Sequence, residues 1–369
     1  MRCGPNCAAA TERPATHTMS GRVLHQFLTG ATSGDAITDQ ALLMQRWLRE
    51  AGFTSEIYAW HLHPSMEGAV RPLPTYHHTR GEAWAIYHHS IGSDVPDFLL
   101  RQAMRLILVY HNITPADYFT GSDPLRAHLA RQGIEQLAVL RPITGLALAV
   151  SAYNEADLIA AGYEQTAVLP ICLQAERYES AEPLPPVPGP RLLFIGRLAP
   201  NKRQEDLVKL LACLRRIRPT AHLTLLGDRW EIGYDRWVEG LAAEMSVGDG
   251  LTLTGKVSQA AMVAHLRAAD LFVSMSEHEG FGVPLIESMV LGLPVLAYGA
   301  AAVPETMGGA GLLFHDKDYE ALAELIDLLL DDPALRQRII AGQRARARAF
   351  LEPAVRGQFI ERLGEVGLC

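Results

Sequence analysis

A loop that follows a predicted strand carries two cations at a spacing suited to a phosphate group. The loop reads Gly196-Arg-Leu-Ala-Pro-Asn-Lys-Arg203, and strand Leu192–Ile195 precedes it. Arg197 offers a planar fork of donors and Lys202 offers a point charge, so both can converge on one diphosphate. The alternative is two solvated cations beside a helix that begins at Glu205-Asp206. The loop by itself leaves both interpretations open.

A second loop combines two glycines and two carboxylates at the start of a helix. It reads Ser276-Glu-His-Glu-Gly-Phe-Gly-Val-Pro-Leu-Ile-Glu287. Gly280 and Gly282 let backbone N–H groups approach a ligand closely, and the helix N-terminus attracts anions or sugar hydroxyls. Glu279 and Glu287 can both face one crevice, where carboxylates accept hydrogen bonds from vicinal hydroxyls. Simple stabilisation of the helix N-terminus by both carboxylates is the weaker alternative.

Histidines are concentrated in the first part of the chain, where nine of the fourteen precede residue 112. His88-His89 and His111 stand at the ends of predicted strands, so we expect them at the edge of a crevice. No spacing among the histidines fixes ligands on facing elements, and we therefore predict no metal site. His61 and His63 are expected to be solvated loop residues.

Alternating strand-like and helical segments position these residues, a pattern typical of parallel α/β layers. The chain breaks at Glu182–Pro190, where five prolines in nine residues predict a stiff linker. The predicted strands are Arg22–Phe27, Glu56–Trp60, Trp84–His89, Leu106–Tyr110, Leu146–Ser151, Leu192–Ile195, Leu223–Leu226, Leu251–Leu253, Leu271–Ser274, Val295–Ala297 and Leu312–Phe314. The predicted helices are Asp35–Ala51 (after a loop at Leu28–Gly34), Glu205–Arg218, Gln259–Ala268, Leu285–Leu291 and Tyr319–Leu330.

This order of elements predicts an α/β chain with two doubly wound, Rossmann-like domains that face each other across a central crevice. Ligands of such folds bind at the carboxyl ends of the strands. The predicted parts are an extension at 1–19 (with Met19 as an alternative start), a first domain at 20–181, the linker at 182–190, a second domain at 191–348, and a C-terminal helix at 349–369 that crosses back to the first domain.

Composition excludes several classes of protein. The 369 residues are 49% hydrophobic and 20% charged, which is enough apolar material for two cores. A net charge of −8 argues against a nucleic-acid binder. The sequence has no uninterrupted apolar run of about 18 residues, so we predict no membrane-spanning helix. Five scattered cysteines are typical of a reducing cytoplasm. The arginine-rich tail from Arg336 to Arg362 either packs back across the domains or, as the less favoured alternative, lies on anionic lipid.

Several segments together resemble retaining GT-B glycosyltransferases of family 4. They are Gly196-Arg197 with Lys202, Thr254-Gly-Lys-Val-Ser258, Glu279-Gly-Phe-Gly with Glu287, and Gly299-Ala-Ala-Ala-Val-Pro-Glu305. First-domain segments His25-Gln-Phe, Gly34-Asp-Ala-Ile37, Tyr87-His-His-Ser-Ile-Gly92 and Tyr110-His-Asn-Ile-Thr-Pro115 resemble the bacterial branch that builds surface polysaccharides or decorates natural products. The resemblance covers about residues 20–350, and the Glu279–Glu287 spacing is its most specific part.

The resemblance implies a role for each matching residue. Arg197 and Lys202 match the pair that holds the donor diphosphate and stabilises it as leaving group. Glu279 matches the carboxylate that binds the transferred sugar, helped by the amides of Phe281 and Gly282. Glu287 matches the residue that binds the nucleotide ribose.

Three further positions complete the implied donor site. The Lys256-Val257 turn matches the backbone that meets the base, and His111 matches a histidine that touches the donor sugar near its reacting carbon. Gly34 matches the start of a helix whose amides face the diphosphate, although its loop reads Gly30-Ala-Thr-Ser-Gly34 instead of a tight Gly-Gly pair.

The function that the resemblance implies is transfer of a hexose-type sugar, with retention, from a nucleotide-diphosphate sugar to a hydroxyl acceptor. The acceptor would be a glycan, a lipid-linked glycan or a small molecule, and the reaction would need no metal or other cofactor. The enzyme would be cytoplasmic, with contact to the inner membrane surface as an open alternative and no nucleic-acid partner. The alternative functions are a nucleotide-sugar 2-epimerase or a phosphorylase on the same fold, or a non-catalytic nucleotide-sugar-binding protein.

Overall fold

The computed structural model describes residues 22–78, 82–229 and 233–369; the predicted extension at 1–19 lies outside these ranges. Two parallel β-sheets with helices on their faces organise the described chain. The predicted class, an α/β chain with two doubly wound domains, is therefore confirmed.

The first domain forms one sheet of parallel strands in the order β5-β4-β2-β6-β7-β8-β9, beside a small β1-β3 pair. Its elements are β1 (Arg22–Val23), β2 (His25–Ala31), α1 (Ala36–Glu50), β3 (Phe53–Thr54), β4 (Ile57–Leu62), β5 (Arg71–Pro72), β6 (Trp84–His89), α2 (Val95–Leu100), β7 (Arg105–Tyr110), α3 (Pro124–Leu140), β8 (Thr144–Ala149), α4 (Ala152–Ala160) and β9 (Thr166–Val168). Central β7 is apolar on both faces because helices cover both: Ile107 and Leu108 are buried in different core clusters.

The second domain forms a parallel sheet in the order β12-β11-β10-β13-β14-β15. Its elements, with the terminal helices, are β10 (Arg191–Ile195), α5 (Gln204–Ile217), β11 (His222–Leu226), α6 (Tyr234–Glu244), β12 (Leu251–Gly255), α7 (Gln259–Ala268), β13 (Leu271–Ser274), α8 (Val283–Leu291), β14 (Val295–Tyr298), α9 (Val303–Met307), β15 (Leu312–Phe314), α10 (Tyr319–Asp331), α11 (Pro333–Ala347) and α12 (Glu352–Glu365). Because β10 and β13 are neighbours, the two loops predicted to carry chemistry leave the sheet side by side.

The C-terminal helix α12 packs on the first domain. Phe359 lies in the same core cluster as Trp47 of α1, with ring centroids 6.0 Å apart. Glu352 at the start of α12 accepts hydrogen bonds from the indole of Trp47 (2.8 Å) and from Arg46 (2.6 Å). The chain thus passes from the first sheet to the second between β9 and β10, and it returns to the first domain before α12.

Several tail arginines are occupied by protein partners. Arg346 donates to the carbonyls of Glu305 (2.7 Å) and Thr306 (3.1 Å), and Arg356 pairs with Glu50 at 2.9 Å. These contacts favour the packed interpretation of the tail over the lipid-bound one. Within the described ranges, no helix is both long enough and apolar enough to cross a membrane.

Two local predictions are wrong. The segment Leu28–Gly34 is a loop only in its second half, because Leu28 and Ala31 pack in a buried cluster and extend β2 to Ala31. His61 lies on strand β4 and not in a loop. His63 caps the short 3-10 turn that follows, where its Nδ1 accepts from the backbone N–H of Ser65 at 3.2 Å.

Candidate active site

The two second-domain loops meet through Lys202 and Glu279. Lys202 ends a 3-10 turn (Pro200–Lys202) after β10, and Glu279 lies in the loop after β13. The Nζ of Lys202 is 2.6 Å from Oε2 of Glu279, and the two side chains are only 20% and 16% exposed. Partial burial strengthens this ion pair relative to a surface pair, and it fixes the direction of the carboxylate.

The charge of Arg197 interacts with groups of both domains. Its own carbonyl accepts from Nε2 of Gln204 at 3.0 Å, which anchors the loop backbone. Desolvation in the cleft and the positive charge of Arg126 lower the pKa of Arg197, although the residue as a whole is exposed. Asp228 and Asp35 act in the opposite direction. An anion bound in the cleft would relieve the repulsion between the two arginines.

A cavity of ≈ 260 Å³ between the domains contains Gly34 and Glu287 in its wall. Gly34 has φ +78° and precedes Asp35, whose Oδ2 caps α1 by accepting from the N–H of Thr38 at 3.0 Å. Glu287 projects from α8, and its Oε1 accepts from the hydroxyl of Tyr178 at 2.8 Å. Burial raises the pKa of Glu287, and the bond from Tyr178 opposes that rise.

The segment that carries Tyr178 is held by both domains. Arg177 contacts Oδ2 of Asp39 in α1 at 2.5 Å, and its second nitrogen donates to Oε1 of Gln259 at 3.3 Å. Gln259 returns a bond of 3.3 Å to the carbonyl of Arg177. One wall of the Glu287 cavity is therefore a cross-domain connection, and the sequence patterns did not indicate any of these residues.

The predicted base-binding turn lies next to this cavity without lining it. Lys256 is exposed, while Val257 packs against the second-domain core. Gln259 and Met262, just beyond the turn, do line the cavity. Gly255 before the turn has φ +68°, a conformation that favours glycine.

The Glu279 loop continues into two residues predicted to offer amides. Phe281 is buried against Phe350, with ring centroids 5.4 Å apart. Gly282 has φ +86° and is the N-cap of α8, so glycine is favoured there by backbone conformation. Packing also requires a small residue at Gly280, since a Cβ there would lie 2.3 Å from Cβ of Asn112.

His111 belongs to a buried polar chain in the first domain. Gln26 donates from Nε2 to the carbonyl of Ala41 at 2.9 Å, which leaves its Oε1 to accept from Nε2 of His88 at 2.9 Å. Nδ1 of neutral His88 must then accept from Nε2 of His111, at 2.9 Å. Burial lowers the pKa of His88 to about 3, so the ring is neutral.

This order of donors assigns the tautomer of His111. Its proton is on Nε2, and its Nδ1 carries a lone pair that has no hydrogen-bond partner among the described residues. His111 is 9% exposed, and burial holds its pKa well below the usual value. This Nδ1 is buried, so a ligand hydroxyl could bond to its lone pair only after a local rearrangement. Gln26 and His88, which fix this state, lie in segments noted in the sequence, but nothing in those segments predicted that they would set the tautomer of His111.

A larger cavity of ≈ 690 Å³ opens at the carboxyl ends of β2, β4 and β6. Trp60, 40% exposed, and His88 are among its lining residues. Its described wall contains no lysine or arginine. The cavity therefore offers a flat apolar surface beside polar groups, without a strong positive charge.

Cross-domain hydrogen bonds join α4 to the second domain. Glu305 accepts from the backbone N–H groups of Ala152 (2.7 Å) and Tyr153 (3.2 Å) at the helix N-terminus. A carboxylate at this end of a helix is electrostatically favourable. Among the described residues, no group of three histidine, cysteine, aspartate or glutamate side chains is arranged to hold a metal ion.

Residues 177–346 match the family model described as "Glycosyl transferases group 1". The match begins at Arg177, in the segment that both domains hold, and it includes Arg197, Lys202, Glu279 and Glu287. It covers the second domain, while the first domain lies outside it.

Two relatives are similar to parts of the chain. A GDP-mannose-dependent monoacylated alpha-(1-6)-phosphatidylinositol monomannoside mannosyltransferase from Corynebacterium glutamicum is 32% identical over 162 residues, covering 42% of this chain and 41% of the relative. A 2-deoxystreptamine glucosyltransferase from Streptomyces kanamyceticus is 26% identical over 273 residues, covering 70% and 68%. The chain thus spans less than half the length of the first of these relatives.

A solved structure is similar over nearly the whole chain. The Anabaena protein HepE in complex with UDP and glucose superimposes with a TM-score of 0.73 and 18% identity, covering 93% of this chain and 99% of that one. Together with the family match, this similarity confirms the predicted GT-B fold and the resemblance to GT-B glycosyltransferases.

Proposed function

We propose that this chain is a retaining glycosyltransferase that moves a hexose-type sugar from a nucleotide-diphosphate sugar to a hydroxyl acceptor. The contact between Lys202 and Glu279 supports this function most directly. It joins a residue suited to a departing diphosphate to one suited to sugar hydroxyls, at one point of the cleft. Family 4 membership remains part of the proposal.

In this proposal the nucleotide occupies the interdomain cavity. The Glu287 carboxylate accepts hydrogen bonds from the ribose hydroxyls, and the turn at Lys256 and Val257 meets the base with its backbone. The cavity of ≈ 260 Å³ also contains Gly34 at the start of α1. The first amides of α1 would therefore face the diphosphate, where a helix N-terminus stabilises negative charge.

The leaving group is stabilised by positive side chains. As the bond between C1 of the sugar and the diphosphate oxygen breaks, negative charge grows on that oxygen. Arg197 and Lys202 neutralise it without a metal ion. The acceptor oxygen forms the new bond to C1 from the same face, and its proton passes to the departing phosphate oxygen. The protein then supplies position and charge, with no covalent intermediate.

The transferred sugar lies between the two domains in this proposal. Glu279 and the amides of Phe281 and Gly282 bind its hydroxyls from the second domain. On the first-domain side, a local rearrangement would expose Nδ1 of His111, which the Gln26–His88 chain leaves without a proton, to a further sugar hydroxyl. These contacts hold the reacting carbon against the leaving group.

The acceptor binds in the first-domain cavity of ≈ 690 Å³. The exposed ring of Trp60 is suited to packing against the flat face of a cyclic polyol. The described lining has no lysine or arginine, which favours an uncharged hydroxyl acceptor such as a glycan or a small molecule.

We propose that the reaction occurs in the cytoplasm.

A donor screen tests the proposal. Purified protein is mixed with UDP-, GDP- and dTDP-sugars, and its melting temperature is measured together with slow release of the nucleoside diphosphate. We expect one donor to raise the melting temperature and to be hydrolysed, because a bound ligand stabilises the folded state by mass action. Binding without turnover would favour a non-catalytic binding protein. Absorbance of a pyridoxal group would indicate a phosphorylase, and release of an epimerised sugar would indicate a 2-epimerase.

A further inference from the structure

Glu279 lies between two residues that are bonded to the first domain. On one side, Nε2 of His278 is 2.8 Å from Oδ1 of Asn112. On the other, the carbonyl of Gly280 accepts from Nδ2 of Asn154 at 2.6 Å and from the hydroxyl of Ser151 at 3.0 Å. The first domain thus holds the side chain immediately before Glu279 and the backbone immediately after it.

These contacts belong to one continuous chain of hydrogen bonds. Burial lowers the pKa of His278 to about 4, so its neutral ring can donate from Nε2 to Oδ1 of Asn112. The Asn112 amide then donates to Oδ1 of Asn154 at 2.7 Å, and the Asn154 amide donates to the carbonyl of Gly280. The chain starts in the second domain, passes through two first-domain amides and returns to the second domain.

Backbone geometry agrees with a close fit at this point. Asn112 has φ +78°, a left-handed conformation that is uncommon for residues other than glycine. Asn112 is also the residue whose Cβ would lie 2.3 Å from a Cβ at position 280. The first domain can contact the Glu279 loop this closely because Gly280 has no side chain.

The second domain holds the same loop as well, through Thr306, whose hydroxyl donates to the carbonyl of Phe281 at 2.6 Å, and through the ion pair of Lys202 with Glu279. The Asn201 amide donates to the carbonyl of His278 at 3.1 Å, and the N–H of Ala302 donates to the carbonyl of Glu279 at 3.2 Å. Asn112 directly follows His111, so one short segment joins the proposed first-domain sugar contact to the proposed second-domain one.

We propose that Asn112 and Asn154 are positioning residues through which the docked first domain sets the backbone on which the Glu279 carboxylate and its Lys202 partner are placed. This inference rests on the proposed function. In it, docking of the domains aligns Glu279 with His111 on opposite sides of the sugar. Separation of the domains would remove the first-domain bonds to His278 and Gly280 and leave only the second-domain bonds to the loop, so the sugar site is complete only in the closed cleft.

Substitution of Asn154 tests the inference. Asn154→Ala removes the donor to Gly280, and Gln45→Ala is the matched control because Gln45 is also buried and its amide donates to the carbonyl of Ser55 at 3.0 Å within the first domain. We expect hydrogen exchange of peptides covering 276–282 to be faster in Asn154→Ala and unchanged in Gln45→Ala. This readout needs no donor.

Kinetics then separate positioning from general stability. With the donor identified by the screen, we expect Asn154→Ala to lower kcat by about 10- to 100-fold with little change in the Kd of the free nucleoside diphosphate. Gln45→Ala should lower only the melting temperature. In a double mutant with Glu279→Gln, Asn154→Ala should add little further loss, because the two residues act through one carboxylate.

Conservative variants cover the case in which Asn154→Ala does not fold. Asn154→Asp keeps the acceptor for Asn112 but cannot donate to Gly280, and Asn112→Asp keeps the acceptor for His278.

Three results would overturn the inference: unchanged hydrogen exchange of the 276–282 peptides, a loss of nucleotide affinity equal to the loss of kcat, or additive losses of kcat with Glu279→Gln. If wild-type protein binds and turns over no donor, the proposed function fails, while the exchange experiment still decides whether the first domain holds the loop.

Discussion

Lys202 and Glu279, which come from loops after neighbouring strands, form a contact of 2.6 Å. The sequence analysis assigned Lys202 to the diphosphate and Glu279 to the sugar, as separate tasks. Their contact indicates that the two tasks are coupled, because a ligand that attracts Lys202 also changes the environment of Glu279. A nucleotide sugar presents both groups within one molecule, so it can engage the pair together.

Replacement of Glu279 should affect transfer more than nucleotide binding. In Glu279→Gln the side chain keeps its size but loses the charge that orients Lys202 and accepts sugar hydroxyls. We expect a loss in kcat of about 10²-fold or more, with the Kd of the nucleoside diphosphate nearly unchanged. Titration calorimetry and initial rates measure both quantities. A matching loss of nucleotide affinity would instead make Glu279 a structural residue.

Removal of the Tyr178 hydroxyl should increase the response to nucleotide. Tyr178→Phe leaves the buried Glu287 carboxylate without its 2.8 Å donor, which costs about 1–3 kcal/mol of folding free energy. Ribose hydroxyls can replace that donor, so UDP or GDP should raise the melting temperature of the variant by more than that of wild type.

Tyr163 provides the control for this experiment. Its hydroxyl donates to the carbonyl of Leu137 at 2.7 Å, inside the first domain and apart from Glu287. Tyr163→Phe should also lower the melting temperature, but adding nucleotide should raise the melting temperature of this variant by the same amount as that of wild type. Equal increments in both variants would separate Glu287 from ribose binding.

Buried histidines should make the protein less stable in acid. Burial lowers the pKa of His88 to about 3 and those of His89 and His278 to about 4. In the unfolded chain these rings have pKa values near 6.5, so below that pH the unfolded state binds protons that the folded state excludes. Their stabilising contribution is complete above about pH 6.5 and falls by up to about 1.4 kcal/mol per pH unit for each ring as the pH drops toward 4.

Urea unfolding between about pH 7.5 and about pH 5 measures this dependence. His89→Gln keeps a donor for the carbonyl of Gly133, which His89 contacts at 2.7 Å, and it removes one titrating ring. Its free energy of unfolding should therefore fall less steeply with acid than that of wild type. A wild-type free energy that stays flat over this range would contradict the assignment of these rings as neutral.

The strands and the loop at 196–203 that carries Arg197 and Lys202 could be predicted from the sequence, because each is encoded by a short run of neighbouring residues. Apolar runs bounded by turn residues identify Trp84–His89 and Leu271–Ser274 with the observed bounds. Helix α3 was not predicted, since Leu125, Ile134 and Val139 are exposed and blur the apolar period.

The cross-domain part of the site could not be predicted from sequence patterns. The bond between His278 and Asn112 joins residues 166 positions apart, and the bond between Asn154 and Gly280 spans 126. No periodicity or short motif carries such a pairing; it follows from how the two sheets meet. The tautomer of His111 likewise depends on Gln26, which comes within hydrogen-bond distance of His88 only because β2 and β6 pair.

Chelation should leave activity intact. In the proposed chemistry, Arg197, Lys202 and the amides of α1 neutralise the leaving diphosphate, a task that many enzymes give to a divalent cation. We therefore expect the same turnover of the selected donor before and after treatment with EDTA. Loss of activity that Mg²⁺ or Mn²⁺ restores would refute the metal-independent mechanism.

Arg197 and Lys202 should act as a unit on the departing diphosphate. Arg197→Ala and Lys202→Ala should each raise the barrier by about 2–4 kcal/mol, because each removes positive charge from the developing oxyanion. The double mutant should lose less than the sum, since each cation works on charge that the other also neutralises. Arg197→Lys should recover only part of the loss, because an ammonium group lacks the planar fork.

A double-mutant cycle on kcat/KM at saturating acceptor measures this coupling, with melting temperatures as the control for folding. The structure adds a second cycle, between Lys202→Ala and Glu279→Gln, because the 2.6 Å contact makes Lys202 a partner of both groups. If Lys202 bridges them, it should be coupled to Arg197 and to Glu279 alike. Coupling to Glu279 with strict additivity toward Arg197 would confine Lys202 to orienting the sugar-binding carboxylate. The leaving group would then rest on Arg197 and the N-terminus of α1.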